Sequence, residues 1–140
     1  MKKFLFYLIS FFCFSSVMAQ VQADSRLQSR FSTSAQSALL LQDSTIIEFW
    51  NYFLDNGYYI DTVGVKTNNM TDFYSIPAKD PSTGLPFSVS SEDPNTSTFN
   101  VLKFNFELSE KAYKFYKIDS TQAIIFYSKE VLTQMFNDAQ

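Results

Sequence analysis

Residues 99–127 read FNVLKFNFELSEKAYKFYKIDSTQAIIFY, and the fold depends on how this stretch is cut. Aromatic and branched residues dominate it, and Ser109-Glu110 and Asp119-Ser120 interrupt it. That pattern predicts strands at about 99–108, 111–118 and 121–127. If both turns are two-residue loops, Phe104 faces Phe115, Phe106 faces Tyr113, Phe115 faces Ile124, and Tyr113 faces Phe126. Leu102 and Leu108 join the same face. Cross-strand aromatic pairs of this kind hold sheets together. Neither turn carries the Asn-Gly or Asp-Gly of a tight hairpin.

The opposite face of this meander carries Ala112, Tyr116, Ile118, Ala123, Ile125 and Tyr127. The strand 121–127 is therefore apolar on both sides, as a strand buried on both faces is. Two arrangements follow. Either the N-terminal segment or residues 77–98 cover this second face, or it stands open as a Tyr/Ile patch. An open patch marks an interaction surface or a lined cavity.

Ser128 is a suitable N-cap for a closing helix that runs to about Asn137, with Val131, Leu132, Met135 and Phe136 as its apolar stripe. Upstream, Thr45-Ile46-Ile47-Glu48 fits a capping box for a helix over 45–56. Ile46, Phe49, Trp50, Phe53 and Leu54 share its apolar stripe, and Gly57 stands where a left-handed C-terminal cap belongs. A strand over 58–66 and a short one over 72–76 come next. Residues 77–98 hold all four prolines and predict a long loop excursion with one short strand around Phe87 to Val89. Residues 24–42 place Leu27, Phe31, Ala35, Ala38 and Leu41 at helical spacing behind Asp24 or Ser25. The alternative there is a flexible arm. The expected class is α+β: an antiparallel sheet of about four to five strands ending in the three-stranded meander, with helices on one face.

The first residues have a separate purpose. Lys2 and Lys3 precede an apolar run from Phe4 to Phe14, and Val17-Met18-Ala19 supplies the small-residue pattern of a secretory signal peptide. The run is too short to span a bilayer, which needs about twenty residues. The expectation is a signal peptide over 1–19, cleaved after Ala19 or, less favourably, after Ala23. Residues 20–140 then form a single exported domain, periplasmic or extracellular, with no stable membrane insertion. The only cysteine, Cys13, lies inside the apolar run. Residues 20–140 therefore contain neither Cys nor His, and such an exported chain, unable to form disulfides, suits a bacterial envelope. They carry nine basic and fourteen acidic side chains, a balance of −5. That sign disfavours nucleic acid and anionic lipid as partners.

The missing residue types limit the chemistry. Without His or Cys there is no serine triad, thiol nucleophile or His/Cys zinc site. Asp55, Asp61, Asp72 and Glu107 are the carboxylates available for glycoside hydrolysis, and no spacing couples two of them. Residues 80–84 and 92–95 lack the alternating Asp of a calcium loop. No catalytic residue, metal or cofactor is assigned. Two aromatic groups remain as binding candidates. Trp50, Tyr52, Tyr58 and Tyr59 cluster in sequence and suit sugar stacking or a protein anchor, although Trp50 reads first as a core residue on the apolar stripe of its helix, with the tyrosines flanking it. Tyr116, Ile125 and Tyr127 lie on the second sheet face. The expected function is a non-enzymatic exported domain that contacts a protein partner through this aromatic face. A small-ligand binder for lipid or sugar is the first alternative, and a carboxylate-dependent hydrolase the second.

Overall fold

The computed structural model describes residues 21–140, so the expected signal peptide and its cleavage site after Ala19 lie outside the described residues. The chain begins with a 3-10 turn, Ser25–Ser29, and continues as α1 (Thr33–Gln42), α2 (Ser44–Asn56) and β1 (Tyr58–Thr62). Three further 3-10 turns, Gly64–Asn69, Phe73–Ser75 and Val101–Lys103, separate β1 from β2 (Lys114–Lys117), β3 (Gln122–Phe126) and α3 (Lys129–Asp138). The class is α+β, with three α-helices and one antiparallel sheet among the described residues. The sheet has three strands in the order β1-β3-β2, so the last strand in sequence is central.

The expected four to five strands are corrected to three, because neither residues 72–76 nor residues 99–108 form a strand. In the second segment Asn100 prevents it. Its carboxamide oxygen accepts the Leu102 amide at 3.0 Å and caps the Val101–Lys103 turn. Its Nδ2 donates to the Arg26 carbonyl at 3.0 Å and to Ser29 Oγ at 2.9 Å. Such side-chain bonds compete with a ladder. Phe99, Val101, Leu102 and Phe104 are then all buried, without the alternation of a strand. Residues 103–105 instead bond to 76–78: Ala78 N–H to the Lys103 carbonyl at 2.7 Å and Asn105 N–H to the Ile76 carbonyl at 2.7 Å. What remains of the meander is the β2–β3 hairpin, and β1 takes the other side of β3.

The hairpin register is one residue away from the two-residue expectation. Tyr116, not Phe115, pairs with Ile124, and Phe115 pairs with Ile125. The cause is the turn. Asp119 accepts the Thr121 amide at 2.6 Å and the Gln122 amide at 2.8 Å, which sets a three-residue loop closed by Ile118 and Gln122. A one-residue slip turns every side chain of a strand to the other face. Tyr116 therefore enters the core, and Tyr113 and Phe115 leave it.

The helices form for local reasons. Asp43, rather than Thr45, caps α2 by accepting the Thr45 amide at 3.0 Å. Ile47, Phe53 and Leu54 are its buried residues, while Ile46 is exposed. Ser128 caps α3 as expected, and Leu132 and Phe136 are buried. The single helix over 24–42 is replaced by two pieces, because Asp24 caps the first turn and Ser32 caps α1. Leu27 is sealed, but Leu41 is 88% exposed. Phe73–Ser75 is a 3-10 turn rather than a strand.

One face of the sheet and α2 enclose the core. Phe106 stacks on Phe126 with ring centroids 4.4 Å apart and on Phe53 at 5.5 Å. Phe73 stacks on Phe104 at 4.1 Å. Tyr58 of β1 and Tyr116 of β2 flank Phe126 at 5.7 and 5.8 Å. Phe136 of α3 meets Phe49 and Tyr52 of α2 edge-on. The 77–98 excursion joins this core through Val89, with Phe87 packed against it.

Candidate functional site: the outer face of the sheet

Alternation along each strand places Tyr59 and Asp61 of β1, Ala123 and Ile125 of β3, and Phe115 and Lys117 of β2 on the face away from the core. Two rows cross the sheet there. Tyr59, Ile125 and Phe115 are register partners in one, and Asp61, Ala123 and Lys117 in the other. Tyr113 and Tyr127, just beyond the strand ends, extend the face. Their rings meet edge-on at 5.5 Å, and Tyr127 lies 5.4 Å from Tyr59.

This face is open. Phe115 is 43% exposed, Tyr113 40% and Tyr59 37%. Ile125 is only 2% exposed although it points away from the core, because Tyr59 and Phe115 stand on either side of it. The N-terminal segment and the 77–98 excursion, the two expected covers, pack elsewhere. The first is held at Asn51 and Asn100, and the second feeds the core. Burial, with the neighbouring Tyr127, Asp61 and Tyr113, holds the Tyr59 hydroxyl above the ordinary phenol range. Tyr59, Tyr127 and Tyr113 thus form a row of neighbouring phenol rings, and Phe115 is exposed on the far side of Ile125.

The structure separates the seven sequence candidates. Tyr59, Ile125 and Tyr127 share the outer face. Tyr58 is on the inner face against Phe126, and burial raises its phenol. Tyr116 is 9% exposed, and its hydroxyl accepts the Glu107 amide at 3.0 Å. Its assignment to the second face is corrected by the register shift. Tyr52 packs on Phe136. Trp50 is half-buried, edge-on to Phe31 at 5.9 Å and Phe53 at 5.3 Å, with the Arg30 guanidinium 4.8 Å from its ring centre. Sequence reasoning missed Tyr113 and Phe115. Asp119 followed by Thr121 was the available signal, since an Asp that can bond its own backbone two residues on favours the longer turn.

The four carboxylates considered for hydrolysis each have a structural partner. Asp55 pairs with Arg26 at 2.6 Å, Glu107 lies 3.7 Å from Lys114, and Asp61 accepts the Thr62 amide at 2.7 Å. Asp72 caps the Phe73–Ser75 turn. Asp80 accepts the Ser82 amide and hydroxyl, and Asp93 accepts the Asn95 amide, so residues 80–84 and 92–95 contain Asx turns. No family model, curated protein or solved structure matches this chain.

Proposed function

We propose that this chain is an exported, non-enzymatic interaction domain that docks a protein partner on the outer face of its sheet. One observation carries the reading: Tyr59, Tyr113 and Phe115 are exposed around the buried Ile125, and the half-buried Tyr127 joins Tyr59 to Tyr113. Large exposed aromatic patches are unusual on monomers and typical of interfaces. Tyrosine anchors such contacts well, because it offers broad apolar area and a polar tip at little entropic cost. The filled space between α2 and the sheet favours this over a lipid or sugar held inside. The stacked rings of Phe53, Phe106 and Phe126 occupy that space.

The test is affinity capture from the cell envelope after cross-linking, with the native chain beside Tyr113→Glu and Phe115→Glu. A stoichiometric partner retained by the native chain and lost by both variants, at unchanged melting temperature, is the expected result. Equal capture by all three would remove this face from the proposal. Export rests on the Lys2–Ala19 pattern, and N-terminal sequencing of the processed protein is expected to start at Gln20.

A further inference from the structure

We infer that the groove between residues 25–34 and the 80–87 loop is a second binding site, which takes a neutral oligosaccharide. The groove has a volume of about 560 Å³ and shares no residue with the outer sheet face. That size lies within the range of ligand sites, about 300–1,000 Å³. Two rings, Phe31 and Phe87, line it together with hydroxyl and amide groups that include Gln28, Thr33, Ser34 and Ser82. Hydroxyls and carboxamides both donate and accept, as a polyol requires. Both rings also pack against the core, and the part that lines the groove supplies apolar surface of the kind that sugar C–H groups contact.

The charges narrow the class. No Lys or Arg lines the groove, so phosphorylated or sulfated ligands find no counter-charge. The one carboxylate, Asp80, already accepts from the Ser82 amide, the Ser82 hydroxyl and the Thr83 amide. Gln28 and Thr33 are exposed, and among the described residues no protein group bonds the Gln28 carboxamide or the Thr33 hydroxyl, so both can exchange water for a ligand.

Both walls are fixed before any ligand arrives. Asn100 bonds the Arg26 carbonyl and Ser29 Oγ on one side. On the other, Asp80 N–H bonds the Leu85 carbonyl at 2.9 Å, Gly84 N–H the Asp80 carbonyl at 2.8 Å, and Phe87 N–H the Ala78 carbonyl at 2.9 Å. Gly84 has φ +72°, a conformation that suits glycine. Preorganised walls lower the cost of ordering on binding.

The chain contains its own reporter. Trp50 is its only tryptophan, and its ring touches Phe31 edge-on. Titration of the intact protein with maltohexaose, cellohexaose, xylohexaose and chitohexaose, followed by tryptophan fluorescence, tests the site. At least one neutral hexasaccharide is expected to give a saturable change. Its affinity should fall by about tenfold or more in Phe87→Ala and in Gln28→Ala. Gln28 is exposed, so its substitution leaves the core intact if Phe87→Ala unfolds. Phe115→Glu, on the other face, should leave the titration unchanged. Three outcomes would overturn the inference: no saturable change with any of the four, a change that survives Gln28→Ala, or stronger binding of a heparin hexasaccharide than of every neutral probe.

Discussion

Gly57 shows how a single position can be fixed by space rather than by backbone conformation. Its φ of −80° is open to any residue. An added Cβ would collide with Cδ2 of the Phe53 ring and lie 2.7 Å from the Phe53 carbonyl oxygen. The Phe53 ring cannot yield freely, because it stacks with Phe106 and Phe126. Gly57→Ala is therefore expected to destabilise the protein by about 1–3 kcal/mol, the usual cost of overpacking, measured by urea denaturation. Native-like stability would mean that the end of α2 shifts without loss. The glycine after a helix was visible in the sequence, but its reason was not, since that depends on where one ring sits in three dimensions. Tyr116 is a second case. Tyr116→Phe removes the acceptor of the Glu107 amide and should cost about 0.5–1.5 kcal/mol. Tyr116→Lys should unfold the domain, as expected of a core position and not of a docking residue.

At the scale of elements, the hairpin and the 99–108 segment show what was legible. Both have strand-like composition, and both strands of the hairpin lie within the stretches predicted for them. Their faces were inverted on β2 because turn length sets register, and one Asp carboxylate sets the turn length. Asp119→Ala removes the acceptor of the Thr121 amide, the Thr121 hydroxyl and the Gln122 amide. Faster hydrogen exchange across β2 and β3, at an otherwise intact core, is the expected result. Unchanged protection would show that the Tyr116–Phe126 packing fixes the register by itself. The 99–108 segment failed as a strand for a similar reason: Asn100 offers the backbone an alternative partner, and hydrophobic pattern alone gives no weight to that. Caps were easier to find. Ser128 precedes a clean apolar stripe, and the structure uses it as the cap.

Across the whole molecule, the α+β class was legible because helices and strands differ in period. The strand order was not, because β1 pairs with a strand far along the chain and no local pattern names its partner. Charge, in contrast, acts on the whole molecule in a way that composition foretells. Arg26 bridges Asp24 and Asp55 and ties the N-terminal segment to α2. Its hydrogen bond holds Asp24 below the ordinary carboxylate value of 3.8. Bonds from Ser82 and from the Thr121 amide hold Asp80 and Asp119 below it as well. A lowered carboxyl favours the folded state above its unfolded pKa, and that contribution disappears as pH falls through the folded value. Tyr58 and Tyr74 behave in the opposite sense. Burial raises their phenols above 10.0, so their contribution is complete below that value and is lost as they ionise in alkali. The chain has no histidine to titrate in between. Urea midpoints should therefore be flat across the neutral range, fall below about pH 4 and fall again above about pH 10. Asp24→Asn should lower the plateau and reduce the acid drop together, because it removes the charge whose protonation causes part of that drop. A step in stability near neutrality, or an acid drop that the Asn variant leaves unchanged, would show that another group governs the acid limb.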